Sequence, residues 1–212
     1  MQHPLTFNQT TFPKLCNQLA ATDADFANII TKYGYPYFWS RTVSFETLIH
    51  IILEQQVSLA SAKAALVKLQ QKLGDVTPEG LVLLTDEQLK ACYFSKQKIV
   101  YARGLANAII TKQLSLDTLA TMDDDTVKHT LKQLKGIGDW TADVFLMMVL
   151  HRCNLFPTGD IALIKSIKEV KQLPAIITKE DILQIADIWQ PYRTIAAYLL
   201  WWAYINKRGI KI

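Results

Sequence analysis

Apolar residues recur at helical spacing along nearly the whole chain. Between residues 45 and 53 they follow the order i, i+3, i+4, i+7, i+8, which places them on one face of a helix. These residues are Phe45, Leu48, Ile49, Ile52 and Leu53. We find no convincing alternation of polar and apolar residues of the kind that is typical of a strand. The pattern therefore predicts an all-α protein of roughly ten short helices joined by small loops.

Short polar side chains mark the points where several helices are expected to begin. Ser44 and Ser58 each stand directly before an apolar helical segment, where an N-cap residue is preferred. The segments 85–88 and 178–181 each begin with threonine and carry Gln or Asp three residues later, which is the signature of a capping box. Pro191 is expected to open the last helix in its first turn.

Two interruptions of the helical pattern predict how the chain is divided. Aromatic residues and a proline break the periodicity between Tyr35 and Trp39, and a second break lies near Pro174. There is no low-complexity segment, long linker or internal repeat. We therefore predict a central helical lobe over residues 43–165, and a second helical lobe formed by residues 1–42 together with 166–212.

Size and charge narrow the class of protein. The chain has 212 residues, of which half are hydrophobic and a fifth are charged, so it can bury a sizeable core. The net charge of +4 suits an anionic partner such as nucleic acid, but a mild excess of this size does not establish one.

Cysteine and histidine spacing argues against metal centres. The three cysteines lie far apart and form no Cys-x-x-Cys pair, so a disulfide framework, a zinc site and an iron–sulfur cluster are not expected. The four histidines lack ligand spacing, so no catalytic metal is expected either. The first residues do not have the pattern of a signal peptide, and no apolar segment is long enough to span a membrane. We therefore expect reduced thiols and no membrane association.

The segment from Leu134 to Asp143, Leu-Lys-Gly-Ile-Gly-Asp-Trp-Thr-Ala-Asp, joins two helical patterns through a Gly-apolar-Gly turn. Glycine at 136 and 138 allows a positive φ and a close approach of the backbone to a phosphate. The helix that follows presents N–H groups and the positive end of its dipole. The segment therefore predicts a phosphate-binding turn, with a tight helix–helix turn without a ligand as the alternative.

Asp160 follows this turn by some twenty residues and precedes another helical pattern. A carboxylate beside a sugar can stabilise positive charge that develops on the sugar, and it can steer or deprotonate water. The alternative is that Asp160, after Thr158 and Gly159, is an N-cap residue. The two roles are compatible.

Three segments, in this order, resemble a known family. The turn at 134–142 with Phe156-Pro157-Thr158-Gly159-Asp160 resembles the helix-hairpin-helix glycosylase motif and its downstream aspartate. The segment 45–58 resembles the helix and loop that open the central lobe of these enzymes. The segment 189–202 resembles the W-x-P-[WY]-R…W signature of 3-methyladenine DNA glycosylase II. The resemblance covers residues 40–205 and is to the short form, without an N-terminal β domain.

The resemblance implies a two-lobed helical fold with a DNA-binding cleft between the lobes, and it implies roles for individual residues. Asp160 matches the catalytic aspartate. Trp140 stands where relatives that also nick DNA have a lysine that forms a Schiff base, so the resemblance implies base removal without strand cleavage. Trp140 and Trp201 match aromatic residues that hold the base, and Tyr37, Phe38 and Trp39 are further candidates for this pocket. Val144 departs from a position that is often aromatic.

Other residues are implied to hold the DNA and a structural ion. Gln56 is the expected wedge that fills the gap left by the flipped base, and it is flanked in the same loop by Gln55 and Ser58. The expected phosphate contacts come from Gly136, Ile137, Gly138 and Thr141. Backbone carbonyls of Lys132, Leu134 and Gly136 are expected to hold a structural Na⁺ or K⁺. No cofactor is expected for catalysis.

The combined prediction is a monofunctional DNA glycosylase of base excision repair that removes alkylated purines such as 3-methyladenine and 7-methylguanine. The expected partner is double-stranded DNA that carries alkylated bases, and the expected state is a monomer in the cytoplasm at the nucleoid, or in the nucleus of a eukaryote. Three alternatives stay open. They are a bifunctional glycosylase/lyase for oxidised bases, a non-catalytic DNA-binding module, and a helical scaffold.

Overall fold

The computed structural model describes residues 4–210, and every regular element within that range is an α-helix. The thirteen helices of this range are α1 (Phe12–Thr22), α2 (Ala24–Tyr33), α3 (Phe45–Glu54), α4 (Leu59–Leu73), α5 (Pro78–Leu83), α6 (Asp86–Ala91), α7 (Lys96–Ile110), α8 (Leu116–Leu119), α9 (Asp124–Lys132), α10 (Asp139–Met148), α11 (Ile161–Val170), α12 (Lys179–Asp187) and α13 (Arg193–Lys207). An isolated antiparallel bridge joins Thr6 and Arg152. The prediction of an all-α protein is confirmed.

The helices begin where the capping residues predicted. The hydroxyl of Ser44 accepts the N–H of Thr47 at 3.1 Å, and Ser58 caps α4 in the same way. The segments 85–88 and 178–181 both form reciprocal capping boxes. The last helix differs from the prediction, because α13 begins at Arg193 and Pro191 precedes it after a cis peptide bond. No helix of residues 4–210 combines the length and the apolar character needed to cross a membrane.

The chain folds as two compact units. The central unit comprises Arg41–Phe145, with α3 to α9 and α10 as far as Phe145. The terminal unit joins the chain before Arg41 to the chain after Phe145 and contains α1, α2, α11, α12 and α13. Residues 146–165, which the sequence places in the central lobe, group with the terminal unit because α11 packs against α13.

Helix α3 forms the core of the central unit. Eight of its ten residues are buried, and it packs against α4 and α7. Each aliphatic side chain removed from water in this way contributes about 1.5–3 kcal/mol before the entropy of ordering is counted. The end of α3 and the start of α7 are therefore held firmly, and the loop at residues 55–58 leaves the core from this rigid base.

Helix α13 is the corresponding element of the terminal unit. It is buried along most of its length and packs against α1, α2 and α11. Trp189, Tyr198 and Phe26 are among the largest fully buried side chains. Trp189 is thus a core residue.

Asp23 organises the polar contacts of the terminal unit. It caps α2, and both of its carboxylate oxygens accept hydrogen bonds from Lys171 Nζ at 2.7 Å. One of these oxygens also accepts the indole N–H of Trp189 at 2.9 Å. Burial by itself raises the pKa of Asp23, but the hydrogen bonds from Lys171 and Trp189 outweigh it and hold that pKa below its usual value. This carboxylate therefore ties the start of α2 to the end of α11.

Candidate active site

The turn between α9 and α10 needs glycine at position 136. Gly136 has a φ of +92°, which is in the left-handed region. The Tyr101 ring lies so close that a Cβ on Gly136 would stand 2.1 Å from its Cγ atom. Both the backbone conformation and the packing therefore exclude a side chain there, and the neighbour that needs this space is the Tyr101 ring.

Gly138 differs from Gly136. It is not among the glycines of the described chain that have a positive φ, so the conformational freedom that glycine allows is not used at this position. A Cβ on Gly138 would meet no atom within 4 Å. The protein itself therefore leaves room at Gly138, on the exposed side of the turn, where an external group can approach the backbone.

Gln55 ties the loop after α3 to this turn. Its side-chain amide donates to the carbonyl of Gly136 at 2.8 Å and to the hydroxyl of Thr141 at 2.9 Å. Thr141 and Ile137 are both buried, and the N–H of Ile137 donates to the carbonyl of Leu134 at 3.1 Å. These three side chains, which the sequence assigned to DNA contact, point into the central unit and stabilise the turn.

Gln56 has the opposite character. It is exposed, its φ is +58°, and within residues 4–210 its side chain makes no hydrogen bond. A left-handed conformation is uncommon for a residue with a side chain and costs conformational energy. Ser58, two residues later, is exposed and occupied as the cap of α4.

The first turns of α10 hold Trp140 and three residues around it. Trp140 is half-buried in the first turn. Asp139 is exposed and paired with Lys132 at 2.5 Å. Asp143 is buried and paired with Lys128 at 2.6 Å. Val144 is a core residue.

Asp160 is held by two donors in the terminal unit. Its Oδ1 accepts the N–H of Leu163 at 2.8 Å, which makes it the N-cap of α11. The same oxygen accepts the indole N–H of Trp201 at 3.1 Å. The expected capping role is confirmed, and it leaves the carboxylate half-buried in a defined orientation.

Aromatic rings surround Trp201 on one side. Trp39 packs edge-on against it with a centroid distance of 6.2 Å, and Tyr37 lies 6.5 Å from Trp39 and is largely exposed. Phe38 has other neighbours, since it packs against Phe7 and stacks on His151 at 5.3 Å. The predicted pocket residues Tyr37, Trp39 and Trp201 are thus linked by ring contacts. Phe38 contacts different rings, which Tyr198 connects to Trp39 and Trp201.

Three basic side chains are used inside the protein. Lys98 donates to the carbonyl of Leu53, Arg103 donates to the carbonyls of Val82 and Leu84 at the end of α5, and Arg193 binds Asn154 and Asp187. Lys63, Lys96 and Lys165 are exposed.

The cysteines and acidic residues form no metal site in the part of the chain that the structure describes. No group of three or more His, Cys, Asp or Glu side chains within residues 4–210 could hold an ion. The three cysteines are buried, and burial raises the pKa of Cys16 to about 12, which keeps that thiol protonated.

The central unit thus carries the hairpin of α9 and α10, and the terminal unit carries an aspartate that is bonded to the indole of Trp201. The family model described as "HhH-GPD superfamily base excision DNA repair protein" matches residues 49–191. This match spans more than half of the chain, and the protein therefore belongs to the HhH-GPD superfamily.

Individual relatives agree with this family. The chain is 29% identical over 161 residues to "DNA-3-methyladenine glycosylase 1" of Schizosaccharomyces pombe. This match covers 74% of this chain and 71% of that protein. It is 31% identical over 169 residues to a "DNA-3-methyladenine glycosylase" of Bacillus subtilis, where the match covers 74% of this chain and 56% of that protein. The chain thus spans little more than half the length of the bacterial relative.

A solved structure supports the fold directly. The S. pombe 3-methyladenine DNA glycosylase (Mag1), in complex with abasic DNA, superimposes with a TM-score of 0.81 at 27% identity. The superposition covers 89% of this chain and 95% of that chain.

Sequence inspection missed the residues that support the site. The bonds of Gln55 to Gly136 and Thr141, and of Lys98 to Leu53, join positions far apart along the chain. Gln55 carried a partial signal because it lies in the predicted loop, but its role there was assigned to DNA. Tyr101 carried none, since a tyrosine at helical spacing is ordinarily a packing residue.

Proposed function

We propose that the protein is a monofunctional DNA glycosylase that hydrolyses the N-glycosidic bond of alkylated purines in double-stranded DNA. The proposed substrates are 3-methyladenine and 7-methylguanine, with ethenoadenine as a further candidate. The observation that carries the proposal is the Asp160 carboxylate, which two N–H donors, one of them the Trp201 indole, hold in one orientation. Membership of a base excision repair family supports it, as do the names of the relatives.

Asp160 supplies the charge that this reaction needs. When an N-glycosidic bond breaks, positive charge develops on the deoxyribose. A fixed carboxylate beside the sugar stabilises this charge without having to reorganise during the reaction. It also orients the water that attacks the sugar, and it accepts the proton that this water loses.

Trp140 distinguishes hydrolysis from strand cleavage. A glycosylase that nicks DNA needs an amine nucleophile, which forms a Schiff base with the opened sugar. The first turn of α10 carries Trp140 where relatives of that kind have lysine, and Lys135 lies before the glycines on the far side of the turn. Water is therefore the nucleophile in the proposed reaction.

Aromatic rings account for the proposed preference for alkylated bases. A purine alkylated on a ring nitrogen is positively charged, and aromatic faces attract cations with about 0.5–2 kcal/mol per contact. In the terminal unit Trp201 donates to Asp160, Trp39 packs against Trp201, and Tyr37 packs against Trp39. We assign Trp201 and Trp140 to contact with the flipped base.

The turn at 134–138 and the loop at 55–58 are the proposed DNA contacts. The open side of Gly138 and the start of α10 suit a phosphate, which positions the duplex without reading its sequence. Exposed Gln56 fills the gap after base flipping, and its amide can hydrogen-bond the orphaned base.

The backbone carbonyls of the turn are also the proposed ligands of a monovalent cation. The carbonyls of Leu134 and Gly136 each accept one hydrogen bond within the protein, and each oxygen has a second lone pair. Together with the carbonyl of Lys132 they would hold Na⁺ or K⁺, whose charge would strengthen phosphate binding nearby. The proposed reaction itself uses no cofactor.

The test is base release from methylated duplex DNA, with the products identified by chromatography. The proposal expects release of 3-methyladenine or 7-methylguanine and an intact sugar–phosphate backbone. Release of an oxidised base, together with a borohydride-stable enzyme–DNA adduct, would support the glycosylase/lyase instead. DNA binding without any base release would support a non-catalytic module.

A further inference from the structure

The end of α3 and the start of the loop that carries Gln56 are held at three successive residues. The carbonyl of Leu53 accepts Lys98 Nζ at 2.7 Å. The buried carboxylate of Glu54 accepts both terminal nitrogens of Arg41, at 2.9 and 2.7 Å. The amide of Gln55 binds the turn at Gly136. Only then does the chain turn outward, at the left-handed residue Gln56.

Helix α7 supports this loop and the turn with the same face. Lys98 and Tyr101 are three residues apart, so their side chains leave the helix on one side. Lys98 reaches the end of α3, and the Tyr101 ring lies against Gly136. The hydroxyl of Tyr101 is in turn bonded to the amide of Gln97.

The support is rigid because α7 is anchored in the core. Its residues Ile99, Ala102 and Leu105 are buried, and the helix packs against α3, α5 and α6. Helix α7 therefore contacts both the base of the Gln56 loop and the turn, and Gln55 joins the loop to the turn.

We propose that Gln55, Lys98 and Tyr101 are positioning residues that lock the Gln56 loop to the turn, so that binding a phosphate at the turn delivers Gln56 to the base stack. This inference rests on the proposed function. The lock also holds Gln56 in its unfavourable backbone conformation, which points its side chain outward. None of the three residues takes part in bond breaking.

This role predicts a selective defect. Loosening the loop weakens insertion of Gln56, which matters only when a base must be extracted from a stacked pair. Phosphate binding at the turn and the chemistry at Asp160 do not depend on the insertion of Gln56. A lesion in single-stranded DNA, which is already unpaired, needs no wedge.

The test compares Gln55→Ala and Lys98→Met with wild type in single-turnover excision of 3-methyladenine. In paired duplex we expect both variants to be about 10- to 100-fold slower, the size expected when hydrogen bonds that define a geometry are lost. In single-stranded DNA we expect rates within about threefold of wild type. Gln71→Ala, an exposed glutamine on α4, is the matched control and is expected to leave both rates unchanged.

A second measurement does not require base release. In an Asp160→Asn background, the fluorescence of 2-aminopurine beside the lesion reports unstacking of the duplex. Gln55→Ala and Lys98→Met are expected to reduce the fluorescence rise on binding while duplex affinity stays within about threefold. If the wild type releases no base, the proposed function fails, and this fluorescence still decides the positioning role.

Two results would overturn the inference. One is an equal loss of rate on paired and single-stranded substrates, which would assign these residues to chemistry or to general stability. The other is an unchanged rate and an unchanged fluorescence rise on paired duplex, which would show that the loop needs no lock.

Discussion

The indole N–H of Trp201 donates to Oδ1 of Asp160 at 3.1 Å, although the two residues are 41 positions apart. The bond joins the middle of α13 to the start of α11, and the same oxygen accepts the N–H of Leu163. The carboxylate is thus oriented both by its own helix and by a tryptophan of the core. The aromatic residue proposed to contact the base also positions the proposed catalytic group.

Trp201→Phe tests this bond. Phenylalanine keeps an aromatic ring but has no donor, so Asp160 loses one of the two bonds that orient it. Because a hydrogen bond to a charged group contributes about 1.5–3 kcal/mol, we expect single-turnover excision to slow by about 10- to 100-fold. Trp202→Phe is the matched control, since Trp202 donates to the carbonyl of Tyr33 and not to Asp160. Equal rates for the two variants would contradict the positioning role.

Asp160 has two roles that substitutions can separate. Asparagine retains an oxygen that caps α11, but it has no charge, whereas alanine loses both. We expect both variants to lose excision by on the order of 100-fold or more. Only Asp160→Ala should also lower the free energy of unfolding, by about 1 kcal/mol. Thermal unfolding together with base-release assays checks this, and substantial turnover by Asp160→Asn would rule out the catalytic assignment.

The two glycines of the turn are expected to respond differently to alanine. Gly136→Ala meets both a positive φ and the Tyr101 ring, so we expect it to lower the free energy of unfolding by about 2 kcal/mol or more. Gly138→Ala has open space and should change stability by only about 0.5 kcal/mol, while its methyl group obstructs a phosphate. Urea unfolding and duplex-binding titrations measure the two effects. A Gly138→Ala variant with undiminished DNA affinity would place the phosphate elsewhere.

The interactions of Asp23 lead us to expect that the free energy of unfolding decreases at acid pH. The pKa of Asp23 is lower in the folded state than in the unfolded chain, so its contribution is complete above the unfolded value and is lost as the pH falls through the folded value. We therefore expect the urea concentration at the unfolding midpoint of the wild type to decrease as the pH is lowered below about 4, where aspartate titrates. Asp23→Asn should be less stable at neutral pH and should show a shallower fall in acid. Parallel acid profiles for the two proteins would show that Asp23 is not responsible.

Local patterns determined much of this protein. The all-α class, the capping boxes at 85–88 and 178–181 and the buried face of α3 follow from residues three or four positions apart, because a helix is built from contacts at that distance. Gly136 was also predictable, since a left-handed turn favours glycine. The family is equally a property of sequence, because its motifs are contiguous.

Only the tertiary structure decided which side chains face one another. Gln55 lies in a loop beside Gln56, yet packing of α3 against α7 turns the first to Gly136 and leaves the second exposed. Phe38 and Trp39 are neighbours that contact different rings, and Asp143 is buried against Lys128. Spacing along the chain carries no record of contacts between distant segments, because these depend on how whole helices pack. The sequence by itself thus determined the helices, the turn and the family, and the packing decided which residues bind, which support and which are core.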